Sequence, residues 1–423
     1  MTVQQSPRGE LGLPSTAVPH SRLILALVAL ALVAGGCSAS GPPEEVTTTV
    51  ATTTTATTAA PLPTTMATTT TGPPRAITVT GEFPEPILTA LEAFYSWLTD
   101  GRNPAPPVPA AMLGALEPGQ PVVSSVVASG VVHELEQGDS VAVVHVGDDT
   151  MFMVEDEEPW RIAGASLANQ ALWLGDRPRL LLVLGSDARS GQNQQRLRAD
   201  SIHIVGVDPS RGQGSIVGFP RDSWVEGPAG KNKFTNIMAG RGPEVMMETA
   251  EALTALDLDG YVVTGFVGFE GLIKDLGGLT IDLPRSIRSG IEGWQDYPSG
   301  VQKLGPTALL RLARIRKTLN GGDFARSANH GLIMQAGMIA VQEMGIDALP
   351  QLLDILLNRT WTDMSTEDLL TMAASVYFLT PEDMVNMVLP GSVGTAGDRS
   401  VVFLANATTD IYLDLADGVI DEP

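Results

Sequence analysis

Six arginines and four aspartates stand in short clusters whose chemistry suits a phosphorylated ligand. The clusters are Asp187-Ala188-Arg189, Arg198-Ala199-Asp200, Pro220-Arg221-Asp222, Arg314-Ile315-Arg316 and Asp323-Phe324-Ala325-Arg326. The 423-residue chain has 26 basic against 48 acidic side chains and a formal net charge of −22, so guanidinium groups beside apolar runs need a local reason. A guanidinium is a planar, permanently charged fork that grips phosphate or carboxylate through two parallel hydrogen bonds. Carboxylates nearby can hold a divalent cation over the same phosphate. The combination points to phosphoryl-transfer chemistry rather than to a solvated surface.

The elements that must position these residues are legible from hydrophobic period. Leu180–Leu184 is a continuous apolar run that reads as a strand buried on both faces. Ser201–Val207 and Ser215–Phe219 read as two more strands, Gly242–Leu256 as a helix, Tyr261–Phe266 as a strand and Gly268–Leu276 as a helix stopped by Gly277-Gly278. Thr280–Leu283 is a further strand, and Thr307–Arg314 and Asp323–Gly345 are helices. Strands alternating with helices predict an α/β/α sandwich around a mixed sheet. Each cluster falls at the end of an element, where ligands of open α/β sheets bind. Arg314 and Arg316 point the same way only if the chain has left the helix there, since helical positions two apart diverge by about 200°. Asp323, Arg326 and His330 are spaced to share one helix face, and that helix begins after Asn320-Gly321-Gly322, where free amides can face an anion.

The rest of the chain sets the compartment. Net charge −22 excludes a broad nucleic-acid footprint and a broad electrostatic grip on anionic lipid. Cys37 is the only cysteine, so there is no disulfide framework. Arg8 and Arg22 precede the apolar run Leu23–Ala34, which ends in Ala34-Gly35-Gly36-Cys37. This is a secretion signal with small residues before a lone thiol, as at bacterial lipoprotein cleavage sites. Residues 1–37 are therefore expected to be a lipoprotein-type signal with Cys37 as lipid anchor. An uncleaved membrane anchor is the alternative, although the run falls short of the roughly 20 residues that span a bilayer. Residues 41–74 contain 15 threonines and few large apolar side chains. Residues 38–74 are thus expected to be a disordered tether reaching on the order of 100 Å if extended, with a glycosylated stalk as the sharper alternative. Residues 75–176 show one amphipathic helix, Pro84–Leu98, then strand-like runs at Val122–Val127, Gly130–Leu135, Ser140–Val146, Thr150–Val154 and Trp160–Ala163. This small α+β unit resembles the cystatin-like cone domains of secreted proteins and is expected to be an accessory domain before a catalytic domain at 177–416.

The clusters also carry a family resemblance. Leu184-Gly185-Ser186-Asp187-Ala188-Arg189, Arg198-Ala199-Asp200-Ser201, Phe219-Pro220-Arg221-Asp222-Ser223, Gly277-Gly278-Leu279-Thr280-Ile281-Asp282, the Arg314-Ile315-Arg316 helix end and Gly322-Asp323-Phe324-Ala325-Arg326 resemble, in order, the motifs of LytR–CpsA–Psr proteins. The resemblance covers about residues 178–345 and extends more loosely to about 416. It implies an extracytoplasmic phosphotransferase that moves a phosphoglycan from a polyprenyl diphosphate carrier to a peptidoglycan hydroxyl during cell-wall assembly. It further implies Mg²⁺ on Asp187 and Asp200, and a diphosphate clamp of Arg198, Arg221, Arg314, Arg316 and Arg326 joined by His330. Arg189 would orient Asp187, and Asp200 or Asp222 would serve as base. A lipid pocket would be lined around Phe266, Phe269 and Leu272. The family often has Gln where this chain has His330, which adds an expected pH dependence near pH 6–7. Its Lys-x-Asn element appears as Lys233-Phe234-Thr235-Asn236, with the Asn displaced by one. Polyprenyl diphosphate hydrolysis, and non-catalytic binding of lipid-linked glycans, are the competing functions.

Overall fold

A computed structural model of the chain describes residues 73–120, 124–170 and 172–421, all within one compact unit, 71–423. The segment expected as a signal sequence, Cys37 and the expected tether up to residue 72 lie outside the described residues. Strand β1 (Thr78–Thr80) is followed by helices α1 (Glu85–Thr99) and α2 (Ala110–Ala115), then by β2 (Ser125–Glu134), β3 (Ser140–Val146), β4 (Asp149–Glu155), β5 (Arg161–Ser166) and β6 (Leu172–Trp173). These strands make one sheet in sequence order, antiparallel except for the parallel β1–β2 pair. Pro84, Glu85 and Pro86 open α1, and Ile87, Leu91, Phe94 and Leu98 form its buried stripe against Val144, Met151 and Met153 of the sheet. The two strands expected at 122–127 and 130–135 are one strand, β2. Gly130 does not break it, because a Cβ at that position would lie 2.1 Å from the Val143 carbonyl oxygen of β3. Glycine is there for close approach of the backbones, not for a turn.

The second sheet carries the acid–arginine clusters. In chain order it is built from β7 (Arg179–Ser186), β8 (Ala199–Asp208) and β9 (Gln213–Gly218), the small ribbon β10 (Trp224–Val225) and β11 (Asn232–Lys233), α3 (Pro243–Thr254), β12 (Gly260–Thr264) and α4 (Phe266–Asp275). A hairpin of β13 (Leu279–Leu283) and β14 (Gly300–Leu304) leads to α5 (Pro306–Arg314), α6 (Asp323–Met344), α7 (Leu349–Arg359), β15 (Trp361–Thr362), α8 (Thr366–Tyr377), β16 (Met384–Val388), the hairpin β17 (Gly391–Ala396) and β18 (Arg399–Leu404), and α9 (Thr408–Leu415). The sheet order is β15-β12-β7-β8-β9-β16, with β12–β7 and β9–β16 parallel and the other pairs antiparallel, a mixed sheet. One face packs Leu182, Ile204 and Val263 against Met246 of α3 and Tyr412 of α9. The other face is turned to α6, α7 and α8. Central strand β7 alternates: Leu180, Leu182 and Leu184 are buried, whereas Leu181 and Val183 on the opposite face are only half-buried. The expectation of burial on both faces is corrected there, because the helices do not close fully over that side. The expected strand to Phe266 ends instead at Thr264, since Gly265 caps α4 and its carbonyl accepts from Phe269.

The first sheet's second face shares one core with the second sheet's helices. Val141, Val143, Phe152 and Val154 pack with Leu352, Leu353 and Leu370 of α7 and α8. Arg161 reinforces the contact, 2.8 Å from both Asp156 and Glu367. The Arg161 fork holds the Asp156 carboxyl down at about pKa 2. Among the described residues no single helix is long and apolar enough to cross a membrane. Because the core is continuous, 71–423 is expected to unfold in one cooperative transition. Phe152→Ala should cost about 3–5 kcal/mol and move fluorescence and circular-dichroism urea curves together; two separated transitions would contradict a shared core.

Candidate diphosphate site

The site begins where β7 ends. The Asp187 N–H donates to the Arg198 carbonyl at 3.0 Å, pinning the two loop ends together. Arg198 returns its own N–H to Asp187 Oδ1 and its Nε–H to Oδ2, each at 3.2 Å. Arg198 thus occupies both carboxylate oxygens, while its side chain is 59% exposed. Arg189, expected to orient Asp187, does not: it is exposed, and its backbone N–H is held by Gln192 Oε1 at 2.8 Å. The intervening loop docks through Gln194, whose side chain accepts the Gly265 N–H at the start of α4.

Deeper in, four side chains from three elements interlock. Arg221, just after β9, places Nη1 2.6 Å from Asp200 Oδ1 at the start of β8. Its backbone N–H donates to Asp323 Oδ2 at 3.0 Å. Asp323, the first residue of α6, also has Oδ1 2.5 Å from Arg326 Nη2 one turn on. Arg326 Nη2 in turn donates to the Asp200 carbonyl at 3.3 Å. Thr235 completes the ring, its hydroxyl donating to Asp200 Oδ1 and its N–H to the Arg221 carbonyl. Burial works against the Arg221 charge, yet Asp200, Asp323 and Asp222 together outweigh it and hold that pKa above its ordinary value. Arg326 is only 6% exposed, and burial pushes its pKa down. Nε of Arg221 is buried 3.8 Å from Asp323 Oδ1, an ion pair too long for a hydrogen bond, and Nε of Arg326 is buried without an acceptor among the described residues. An unsatisfied buried donor costs about 1–3 kcal/mol, more when charged, so these two forks are held ready for an acceptor the fold does not supply.

The remaining expected residues fall around this core. Helix α5 ends at Arg314, and Ile315 is extended at φ −65° and ψ 130°. Ile315 is fully buried between exposed Arg314 and Arg316, so the two guanidinium groups emerge together. Arg314 lies over the Phe266 ring at 4.8 Å and the Trp294 ring at 5.5 Å. Gly321 and Gly322, at φ 98° and 56°, turn the chain from this segment into α6. Asp222 is drawn aside to Lys233, 3.1 Å away across the β10–β11 ribbon. Asp200 and Asp222 each keep an Oδ2 that accepts no hydrogen bond among the described residues, their Oδ1 atoms being held by Arg221 and Lys233 respectively. The displaced Asn236 bonds Asn232 and stays out of the cluster.

His330 departs from expectation. Its Nε2 is 2.7 Å from the Ala313 carbonyl, which only accepts, so Nε2 carries the proton and holds the end of α5. Nδ1 is buried without a partner. Burial, then the neighbouring His203 and Arg326, push the His330 pKa down to about 3. His203, with ring centroid 5.8 Å away, sits between Ser201 Oγ and the Ser327 carbonyl, and burial lowers it to about 4. The expected titration near pH 6–7 is therefore corrected: neither imidazole charges in that range, and His330 steadies the clamp segment rather than gripping phosphate through Nε2. Asp323 as the central acid, Thr235 and the His203–Ser327 contact had no assigned role in the sequence. Only Asp323 had a signal there, its i,i+3 spacing to Arg326.

Among the described residues no group of three His, Cys, Asp or Glu side chains is arranged to hold a metal. The donor chemistry nonetheless suits Mg²⁺, which takes one or two carboxylates and completes its shell with water and substrate phosphate. Asp200 offers a free oxygen for this; Asp187 would have to exchange its Arg198 contacts. The lowered imidazoles also give a stability prediction. In the unfolded chain a histidine protonates near pH 6.5, whereas folded His203 and His330 resist protonation down to about pH 4 and 3. The unfolded state binds more protons below about pH 6.5, so stability should fall from pH 7 toward pH 4 and be flat above pH 7. Urea titrations across pH should show this, and His330→Gln should shallow the acid limb while leaving activity between pH 6 and 8 unshifted.

Comparison with known proteins matches this geometry to a lineage. A model of the LytR_cpsA_psr family matches residues 156–411. The polyisoprenyl-teichoic acid–peptidoglycan teichoic acid transferase TagU of Oceanobacillus iheyensis is 28% identical over 200 residues, covering 45% of this chain and 61% of that protein. TagV of Bacillus subtilis, with the same descriptive name, is 26% identical over 180 residues, covering 41% of this chain and 46% of that protein. The chain thus spans about half to three fifths of the length of these curated relatives. The crystal structure of B. subtilis TagV aligns with TM-score 0.50 at 22% identity over 58% of this chain and 99% of that one. A Streptococcus agalactiae protein aligns with TM-score 0.50 at 20% identity over 57% of this chain and 88% of that one. Both structures share the fold around the mixed sheet. With the family match spanning more than half of its residues, this chain belongs to the LytR–CpsA–Psr family.

Proposed function

We propose that this protein is an extracytoplasmic phosphotransferase that moves a phosphoglycan from a polyprenyl diphosphate carrier to a peptidoglycan hydroxyl. The observation that carries the reading is the pair of guanidinium groups, half-buried Arg221 and buried Arg326, locked by Asp200 and Asp323 with buried Nε donors that make no hydrogen bond. The relatives' names, which describe transfer of teichoic acid from a polyisoprenyl carrier to peptidoglycan, support the same chemistry. In this reading the acceptor hydroxyl oxygen attacks the glycan-proximal phosphorus. A new P–O bond forms, the P–O bond to polyprenyl phosphate breaks, and the hydroxyl proton passes to a carboxylate. Asp200 and Asp222 are the candidate bases: each keeps an open Oδ2, and where Asp200 gives that oxygen to a divalent cation the proton goes to Asp222. Negative charge spreads over the phosphoryl oxygens during transfer, and preorganised donors aimed at it lower the barrier. Arg221 and Arg326 supply the fixed donors, while Arg198, Arg314 and Arg316 close from the exposed side.

Mg²⁺ held by Asp200, with Asp187, would add Lewis-acid neutralisation of the diphosphate. The prenyl chain would lie along apolar side chains that are only half-buried, among them Leu181 and Val183 of β7 and Phe269 and Leu272 of α4. A lipid anchor at Cys37 would hold the enzyme at the outer membrane face where that carrier resides. Two experiments follow. Arg316→Ala, an exposed change that should leave the melting temperature intact, and Arg221→Ala should each lower transfer from a radiolabelled polyprenyl diphosphate glycan by about 10²–10³-fold. Unchanged turnover in both would overturn the assignment, and release of free phosphoglycan without acceptor labelling would favour hydrolysis. Mass spectrometry of the mature N-terminus should find Cys37 diacylated; an unmodified thiol would refute the anchor.

A further inference from the structure

The loop that joins β7 to β8, residues 187–198, is fastened on both flanks as well as at its base. On one flank the Gly240 N–H donates to the Arg196 carbonyl at 3.0 Å. Arg196 Nη1 donates in return to the carbonyls of Gly240 and Arg241 at 3.3 and 2.9 Å, just ahead of α3. On the other flank the loop lies on the first turn of α4. Gln194 Oε1 accepts the Gly265 N–H at 2.8 Å, and the Ala188 carbonyl accepts the Phe266 N–H at 3.0 Å. The first N–H groups of a helix find no partner inside it. Gly265, which caps α4, has no side chain to serve them, so the loop supplies the acceptors. The approach is close. A Cβ at position 265 would lie 3.1 Å from Ala188 Cβ, 3.2 Å from the Ala188 carbonyl oxygen and 3.4 Å from Gln194 Cβ. That first turn of α4 carries a partner of the clamp. Phe266 is its first residue, and the Arg314 guanidinium lies 4.8 Å from the Phe266 ring centroid. Arg314 is exposed and has no carboxylate partner among the described residues, so two rings, Phe266 and Trp294, set its place.

We infer that Gln194 is a positioning residue for the clamp: its side-chain carbonyl fixes the first turn of α4, the Phe266 ring on that turn and, through the ring, Arg314. The inference rests on the phosphotransferase reading of the site and adds to it a residue that touches no substrate. The chain of contacts is short, running from Gln194 Oε1 to the Gly265 N–H, across one peptide to Phe266, and from its ring to the guanidinium. Arg314 is open to such control because no carboxylate competes for it. Arg316, two residues on, has no ring contact and is outside the chain. Arg196 is the built-in comparison, since it fastens the same loop to a turn that carries no clamp residue. A loop anchor without a positioning role would act alike through either flank.

The test uses the full chain in detergent micelles, with a polyprenyl diphosphate-linked glycan as donor and inorganic pyrophosphate with Mg²⁺ as a calorimetric binding probe. Gln194→Met keeps length and bulk but removes the acceptor oxygen. It should raise the donor KM about fivefold with kcat held, the size of one exposed cation–π contact. Gln194→Glu keeps an acceptor at the helix start, where a carboxylate is favourable, and should keep the wild-type KM. Partial unfolding would do the reverse, lowering apparent kcat and the melting temperature at constant KM. In an Arg314→Ala background Gln194→Met should cost nothing further, whereas in an Arg316→Ala background it should cost its full factor. Pyrophosphate affinity should follow the same pattern. An equal cost of Gln194→Met with and without Arg314, or an equal rise in KM in Arg196→Ala, would overturn the inference. So would Gln194→Met with wild-type KM and pyrophosphate affinity. Coupling of Gln194 to Arg314 in pyrophosphate binding, in a protein that transfers nothing, would leave the positioning role standing and sink the phosphotransferase reading instead. A wild type that neither transfers nor binds pyrophosphate would sink both.

Discussion

The ion lattice of Asp200, Arg221, Asp323 and Arg326 is the interaction on which the rest of the site depends. It joins the start of β8, the loop after β9 and the first turn of α6, so the sheet edge and the longest helix are fixed relative to one another by charge. A buried charge without a partner is costly, and breaking one partner of a buried pair typically costs 3–5 kcal/mol. The four groups therefore hold each other's geometry whatever the ligand does. Placing Asp323 at the first position of α6 adds a favourable carboxylate at the positive end of the helix. What the lattice leaves over is donor capacity on its two guanidinium groups, and that surplus is what the proposed diphosphate binding would use.

The outer arginines obey a different rule. Arg314 and Arg316 flank buried Ile315, so a single apolar anchor orients two cations that would otherwise repel one another. His330 holds the preceding Ala313 carbonyl from below, which couples the clamp segment to α6 without adding charge. Aromatic rings of Phe266 and Trp294 replace carboxylates as partners for Arg314. In so acidic a chain, partnering by ring and backbone rather than by carboxylate keeps positive potential available at the mouth of the site.

Much of this was legible in the sequence because it is local. The clusters sit at element ends, a continuous apolar run located β7, hydrophobic pattern located β8, α3 and α6, and the i,i+3 spacing of Asp323 and Arg326 becomes a direct ion pair. What was not legible depends on contacts between distant segments. Nothing near Arg189 says that Asp187 will choose Arg198, a partner eleven residues away. Thr235 joins Asp200 across thirty-five residues, and the fate of His330 depends on a carbonyl at the end of another helix. The reading of His330 as a pH-sensitive phosphate ligand failed for that reason: exposure, not residue type, decides whether an imidazole titrates near neutrality. The break expected between Val127 and Gly130 is also absent, because the chain stays extended through Ala128 and Ser129 and pairs with β3.

The most direct measurement is a crystal structure of the protein soaked with a short-chain polyprenyl diphosphate and Mg²⁺. The lattice account predicts diphosphate oxygens within hydrogen-bond distance of Nε of both Arg221 and Arg326, with Arg314 and Arg316 closing on them and the prenyl chain running past Leu181 and Val183. A diphosphate bound elsewhere, with both Nε donors still lacking an acceptor, would contradict it.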